Sequence, residues 1–280
     1  MKPGQKILPY LFLAPSLAIF LPFYVYPFAS SVLLSFLEEN GGIGVSNYVT
    51  VFTAYRDDVV FSLAVSVLAT LFSGLIGILA AFYFKITVDK RIKSFFNQVF
   101  RVPIFVPMVV VAQMMRTYLA PHGTLNTLFA QFGLIDLSNP LQLFDWRGLL
   151  IGFVWKQTPF MTLIILSGFL MIRDSYVEAA KVSGAGNATV LLRILLPMAR
   201  ANIAIAFILT FASNLSTFTL PYMLIGGAKP TTITVDMAHR VTLFGDWGTA
   251  NALGVISYLM VGFFSVYYLR QMTKRGIYER

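Results

Sequence analysis

The 280-residue chain contains no cysteine and only two histidines, His122 and His239, neither with a second ligand at metal-binding spacing. A disulfide framework and a thiolate metal site are thereby excluded, and no metal is assigned. Charge is scarce as well: Asp, Glu, Lys and Arg make up 12% of the residues, against about 25% in an ordinary soluble domain. A soluble domain of this length needs a far more polar surface than that. No G-x-x-x-x-G-K-[ST] loop is present to cradle a nucleotide, so the chain is not its own ATPase. No low-complexity linker divides it, and residues 1–280 are read as a single domain.

What the chain has in quantity is apolar sequence, 57% hydrophobic residues with a mean hydropathy of +0.74. Six long runs stand out: Leu8 to Leu37, Val59 to Phe84, Val102 to Ala120, Leu149 to Ile172, Ala201 to Ile225 and Gly248 to Leu269. Each approaches or exceeds the roughly 20 residues that cross about 30 Å of hydrocarbon. They lack strand-like alternation, and backbone groups cannot stay unpaired in lipid, so the spans are expected to be helices. The expected fold class is all-α, a polytopic membrane bundle of six transmembrane helices. The first run carries Pro9, Pro15, Pro22 and Pro27. It far exceeds the apolar core of a signal peptide and is read as a retained, kinked helix.

The distribution of charge sets the topology. Most of the 21 basic residues lie at the N-terminus (Lys2, Lys6), between spans two and three (Lys85, Lys90, Arg91, Lys93, Arg101), between spans four and five (Arg173, Lys181, Arg193, Arg200) and after span six (Arg270, Lys274, Arg275, Arg280). The alternate loops hold only Arg56, Arg147, Lys229 and Arg240. By the positive-inside rule both termini are cytoplasmic, and the net charge of +9 is a topology signal rather than a sign of nucleic-acid binding. The acids Glu38, Glu39, Asp57, Asp58, Asp136, Asp145, Asp236 and Asp246 fall in outer loops and Asp89, Asp174, Glu178 and Glu279 inside, so no carboxylate is intramembrane. That disfavours a proton- or sodium-driven carrier, which usually places ionisable residues in its bundle, and also a lipid-modifying enzyme. Two cations remain within spans, Arg116 and Lys156. A cation at a helix centre costs about 2.5–3.5 kcal/mol on the insertion scale, so each is expected to snorkel or to line water. Lys156 is a candidate border of a solute path, with an interfacial anchor as the alternative.

Residues 174–197 read DSYVEAAKVSGAGNATVLLRILLP, two helical stretches too short to span around a break at Gly184, Ala185 and Gly186. Ser175 and Glu178 have capping-box spacing, and Asn187 is placed to cap a second helix that stops before Pro197. Val190, Leu191, Ile194 and Leu195 form a one-sided apolar stripe that suits either lipid or a protein surface. In the fifth span Ser213, Asn214, Ser216, Thr217 and Thr219 form the best polar cluster, with uncharged donors and acceptors suited to a hydroxyl-rich solute. Their alternative role is hydrogen bonding between helices.

Glu178, Ala179 and Ala180, then Gly184 and Ala185, Ile194, and Leu196 with Pro197, resemble the EAA loop of permease subunits of binding-protein-dependent ABC importers. Ser183 stands where that family commonly has Asp, and Leu191 where Phe is common. The opening LFLAPSLAIFLPFYVYPFASSVLLSF, the SNYV at Ser46 to Val49, the GTLN at Gly123 to Asn126 and the WKQTPFMTLIILSGF at Trp155 to Phe169 are similar to sugar-type permeases. FTLPYMLIGGAKP at Phe218 to Pro230 also resembles permeases for polyamines and related organic ions. The resemblance implies a type I importer permease of MetI-like fold in the inner membrane, non-catalytic and without a cofactor of its own. It implies a second permease, most often a related one, two copies of an ATP-binding subunit that carry ATP and Mg, and an extracytoplasmic solute-binding protein. The loop would dock on the ATPase, whose closure drives alternating access for a sugar; the other readings are a polyamine or organic-ion permease and a stand-alone secondary carrier.

Overall fold

The computed structural model describes residues 3–38, 41–87 and 90–276. Lys2, Glu39, Asp89, Glu279 and Arg280, which entered the charge pattern, and both chain ends lie outside the described residues. Among the described residues the chain is all helical, with a lone bridge between Leu37 and Ile43. In order the helices are α1 (Pro3–Phe20), α2 (Tyr26–Ser35), α3 (Ser46–Ala54), α4 (Arg56–Ile86), α5 (Lys90–Phe105), α6 (Met108–Leu119), α7 (Thr124–Gln131) and α8 (Trp146–Met171). They continue with α9 (Asp174–Val182), α10 (Asn187–Val190), α11 (Leu196–Met198), α12 (Arg200–Ser216), α13 (Thr219–Ile225), α14 (Ile233–Phe244) and α15 (Trp247–Gly276).

Widened π turns, Leu21–Val25 and Leu191–Leu195, join α1 to α2 and α10 to α11. Each is followed by a proline, Pro27 or Pro197, which lacks an N–H and crowds the carbonyl four residues back. Opening the turn lets the residue before the proline bond five residues back, Tyr26 N–H to Leu21 O and Leu196 N–H to Leu191 O. The helices therefore run on through both prolines. The first run is carried through a widened turn, and the helix after Asn187 continues past Pro197 to Met198.

Four stretches are long and apolar enough to cross a membrane alone: Phe12–Ser35, Arg56–Ile86, Trp146–Met171 and Trp247–Tyr267. A fifth arises if Asn187–Met198 and Arg200–Ser216, bent by 77°, count as one. The other expected spans are broken. The third splits at Val106 and Pro107 into α5 and α6, because Pro107 sets the residue before it away from the helical region. The fifth splits at Thr217 and Phe218, where Thr217 turns extended at ψ 122° and its carbonyl accepts from Thr234 Oγ1 at 3.0 Å.

Two compact units are present. The first comprises residues up to Asp57 together with Asp236–Tyr258. In it Asn47 of the SNYV motif, 7% exposed, donates to Ser35 O and Leu37 O at 3.0 and 2.8 Å and so fixes the loop before α3. Arg240 bonds Tyr55 Oη at 2.5 Å and pairs with Asp246 at 3.0 Å.

The second unit comprises Asp58–Val235 and the chain from Leu259 on, and it contains two hydrophobic cores. One joins Ala81 and Phe84 of α4, Met161 to Phe169 of α8 and Ala199 and Ala206 around α12, with Phe100 of α5 packed on it. The other joins Val65 and Ala69 of α4, Leu149 and Phe153 of α8, Val111 to Leu119 of α6 and Leu220 and Leu224 of α13. Between them the same helices carry polar residues: Thr70 and Ser73 on α4, Gln157 and Thr158 on α8, Thr210, Ser213 and Asn214 on α12. Both helix breaks fall at this polar level. Packing there is close, since a Cβ on Gly74 would lie 2.3 Å from the Phe207 ring. Asp58, expected in a loop, sits in the first turn of α4, 2% exposed, and accepts from Thr231 N and Lys229 Nζ at 2.8 and 3.0 Å.

Candidate functional site

The segment 174–197 is built on the first of the two cores. Val177, Val190, Leu191 and Leu195 are buried in it beside Phe84, Ile165 and Phe169, with Ala180, Ala185 and Leu196 packed against them. Ile194 is half-buried. The apolar stripe expected from the sequence thus lies on the protein itself. The opposite crest is exposed: Tyr176, Glu178, Ala179, Val182 at 90%, Gly184, Leu192 and Pro197.

The ends of the two short helices differ from the expected caps. The first helix starts at Asp174, its N-cap Arg173 makes no side-chain capping bond, and the expected box of Ser175 and Glu178 does not form the start. Asn187 is the first residue of the second helix, after Gly186 as N-cap. The break between them is a Schellman arrangement: Gly184 has φ +82°, Ala185 N–H donates to Ala180 O at 2.9 Å and Gly184 N–H to Lys181 O at 3.0 Å. A glycine meets that left-handed conformation without steric cost.

Lys85, at the last turn of α4, was missed as a site residue in the sequence because its partners lie nearly ninety residues away. Its side chain is 5% exposed and donates to Ile172 O at 2.9 Å and to Asp174 Oδ1 at 2.6 Å. It therefore bridges the end of α8 and the start of α9. An ammonium group suits the carbonyls at a helix C-terminus, and Asp174 suits the N-terminus of the helix that follows.

The fifth-span cluster gathers at the polar level between the cores. Ser213 is exposed and its hydroxyl accepts from Gln157 Nε2 at 2.7 Å. Ser216 is exposed and bonds Ala212 O. Thr217 is half-buried and donates to Ser213 O at 2.7 Å. Asn214 is 2% exposed, and its Nδ2 donates to Thr70 Oγ1 at 3.2 Å. Asn214 Oδ1 and the hydroxyls of Ser73 and Thr210 find no hydrogen-bond partner in the chain.

Lys156 neither snorkels nor faces a carboxylate. Its ammonium donates to Pro103 O at 2.6 Å, Ile104 O at 3.2 Å and Val106 O at 2.6 Å, the carbonyls left at the broken end of α5. Three donors meet three acceptors, which offsets the cost of a cation within a helix bundle. Arg116 reaches Met223 O at 3.4 Å, linking α6 to α13.

The sequence analysis also passed over an open concavity of about 640 Å³ on α6, lined by Val109, Val110, Gln113, Met114, Thr117 and Tyr118 with Thr124 of α7. Its polar groups are an amide, two threonine hydroxyls and a phenol, with no charged side chain in the lining. Spacing of four and three between Gln113, Thr117 and Met114 places them on one helix face, the only signal the sequence held.

Residues 73–277 match the family described as binding-protein-dependent transport system inner membrane component. Among curated relatives, the trehalose/maltose transport system permease protein MalF of Thermococcus litoralis is 27% identical over 286 residues, covering 96% of this chain and 95% of that protein. The sulfoquinovosyl glycerol transport system permease protein SmoG of Agrobacterium fabrum is 30% identical over 293 residues, covering 95% and 91%. Among solved structures, a chain of a bacterial alginate ABC transporter, crystallised with its alginate pentasaccharide-bound periplasmic protein, superposes with a TM-score of 0.82 at 21% identity, over 98% of both chains. The all-helical MetI-like fold and the sequence-level resemblance agree with these matches. The chain belongs to the binding-protein-dependent transport system inner membrane component family, the membrane-spanning, non-catalytic permease subunits of ABC transporters.

Proposed function

We propose that the chain is one half of the pore of an ATP-driven importer that passes a sugar, or another small uncharged polyhydroxylated solute, from an extracytoplasmic binding protein into the cytoplasm. In this reading the whole chain acts as one permease unit in the inner membrane, crosses it six times with both termini in the cytoplasm, and pairs with a related permease. The broken helices α5–α6 and α12–α13 supply two of the six crossings.

The observation that carries the coupling role is the two-sided build of residues 174–197. A buried apolar underside and the Lys85 bridge make the helix pair rigid with the bundle, while Glu178, Ala179 and Gly184 stand on an exposed crest of small residues. A rigid projection transmits a push from an ATPase, where a flexible loop would absorb it. Ala180, Ala185, Ile194 and Pro197 shape the crest from below. For the solute path we assign the exposed hydroxyls of Ser213 and Ser216, with Thr217 beside them and Asn214 supporting that wall through Thr70. The concave α6 face with Gln113, Thr117 and Tyr118 is the second polar surface of suitable size. Its lack of a carboxylate favours a neutral solute over a polyamine.

The test is reconstitution with the partner permease, ATPase and binding protein. Glu178→Lys and Gly184→Asp should abolish ATP-driven uptake while the chain still inserts, and Gln113→Ala with Ser213→Ala should weaken uptake without uncoupling ATP hydrolysis. Concentrative uptake by the permease pair without any ATPase would overturn the importer reading in favour of a secondary carrier.

A further inference from the structure

An amine buried in a membrane bundle normally faces a carboxylate or water. Lys156 instead faces three main-chain carbonyls, those of Pro103, Ile104 and Val106, at 2.6, 3.2 and 2.6 Å. These are the acceptors that the end of α5 leaves open, since Pro107 follows and the next helix starts at Met108. The position of the contact along the bundle is the second observation. Phe100 of α5 packs on the core that also holds Val177, Val190 and Leu195 of the 174–197 segment. Val106, Met108 and α6 pack on the other core, with Leu220 and Leu224 of α13. The break in the third crossing thus lies where one core gives way to the next. Lys156 sits at the same level of α8, three residues before Pro159, whose missing N–H leaves α8 itself one hydrogen bond short there.

Interdigitated cores resist deformation, whereas a polar level joined by individual hydrogen bonds can exchange partners. We propose that Lys156 is a positioning residue of the transport cycle: it pins the open end of α5 to α8 at the junction of the two cores, so that displacement of the 174–197 segment reaches α6 rather than being lost at the break. The helix dipole supplies the counter-charge, and the ammonium keeps hold of α5 by passing its three donors among neighbouring carbonyls as the junction flexes. The proposal rests on the importer reading above.

Absence of native cysteine makes the measurement direct. In the complete importer in nanodiscs, nitroxides at Phe105→Cys and Phe160→Cys report α5 against α8, and at Met114→Cys and Phe160→Cys report α6 against α8. With Lys156→Met the first pair should broaden and the second stay as in the parent. The uptake rate should fall about tenfold or more, the scale for losing a charge-assisted hydrogen bond, with the half-saturating concentration of loaded binding protein unchanged. Lys156→Arg should restore part of the rate. Ethylammonium should restore part of the rate of Lys156→Ala, and tetramethylammonium, which has no N–H, should not. Unchanged nitroxide spectra in Lys156→Met, or equal rescue by both cations, would overturn the pin. Broadened spectra in a parent complex that fails to import on ATP would leave the pin standing and overturn the importer reading instead.

Discussion

Gly184 offers a clean separation of backbone strain from contact. Its φ of +82° lies in the left-handed region, and a Cβ built on it meets nothing within 4 Å. A side chain there clashes with no neighbour, so its whole effect comes from the backbone, about 1–2 kcal/mol for an ordinary L-residue. On the energy scale of folding that is a factor of about 5–30 in the population of the closed turn. Asn tolerates the left-handed region better than Ala, and a β-branched residue worse. Uptake in proteoliposomes should therefore fall in the order Gly, Asn, Ala, Val at position 184, with Ala losing roughly 5- to 30-fold if only the closed turn couples. ATP hydrolysis stimulated by the loaded binding protein should fall in parallel. Gly184→Val transporting at the parent rate, or Asn proving worse than Val, would refute the claim that the two-helix shape carries the coupling.

Other substitutions test the parts that hold this shape. Leu195→Ala, at a position with no exposure, should destabilise the chain by about 2–5 kcal/mol, read as a lowered unfolding temperature in detergent. At the Lys85 bridge, Asp174→Asn should change stability by less than about 1 kcal/mol because Asp174 is 77% exposed. Lys85→Met also removes the bond to Ile172 O and should reduce coupled uptake more than Asp174→Asn does. Asp145 caps α8 by accepting from Arg147 N at 2.8 Å. Partial burial raises its pKa, but bonds from the side chain and backbone of Arg147 outweigh this and hold the carboxyl below its ordinary value. Its contribution is therefore present above the usual carboxylate range and lost as pH falls through the depressed value. Asp145→Ala should cost about 1 kcal/mol near neutral pH, and the gap in unfolding temperature should narrow in strong acid.

The long crossings were legible in the sequence because Val59 to Phe84 and Leu149 to Ile172 are apolar well beyond any soluble helix. The coupling segment was legible because Glu178 to Pro197 combines a family pattern with a one-sided stripe, and Val190, Leu191 and Leu195 are buried as that stripe demands. The break before Pro107 had a local signal in the proline. Thr217 and Phe218 had none, since that break is held by a bond from Thr234 that sequence spacing does not reveal. Lys156 read as an isolated cation for the same reason: its acceptors are main-chain atoms some fifty residues earlier, and every residue type carries a carbonyl. The capping box at Ser175 failed because Lys85 and Asp174 secure the helix start from outside the local sequence.

The widened turn at Leu191–Leu195 has a geometric consequence for the elements that follow. Leu191, Leu195 and Ala199 are all buried and recur every fourth residue. At about 100° per residue each such step overshoots by roughly 40°, so strict α pitch would carry the third residue about 80° off the line of the first. The looser turn takes back that rotation and keeps all three on one seam. Deleting a single residue there would spare the hydrophobic character of the segment yet swing everything beyond Pro197 by about 100°, so the azimuth of the fifth crossing is set by how many residues this one turn contains.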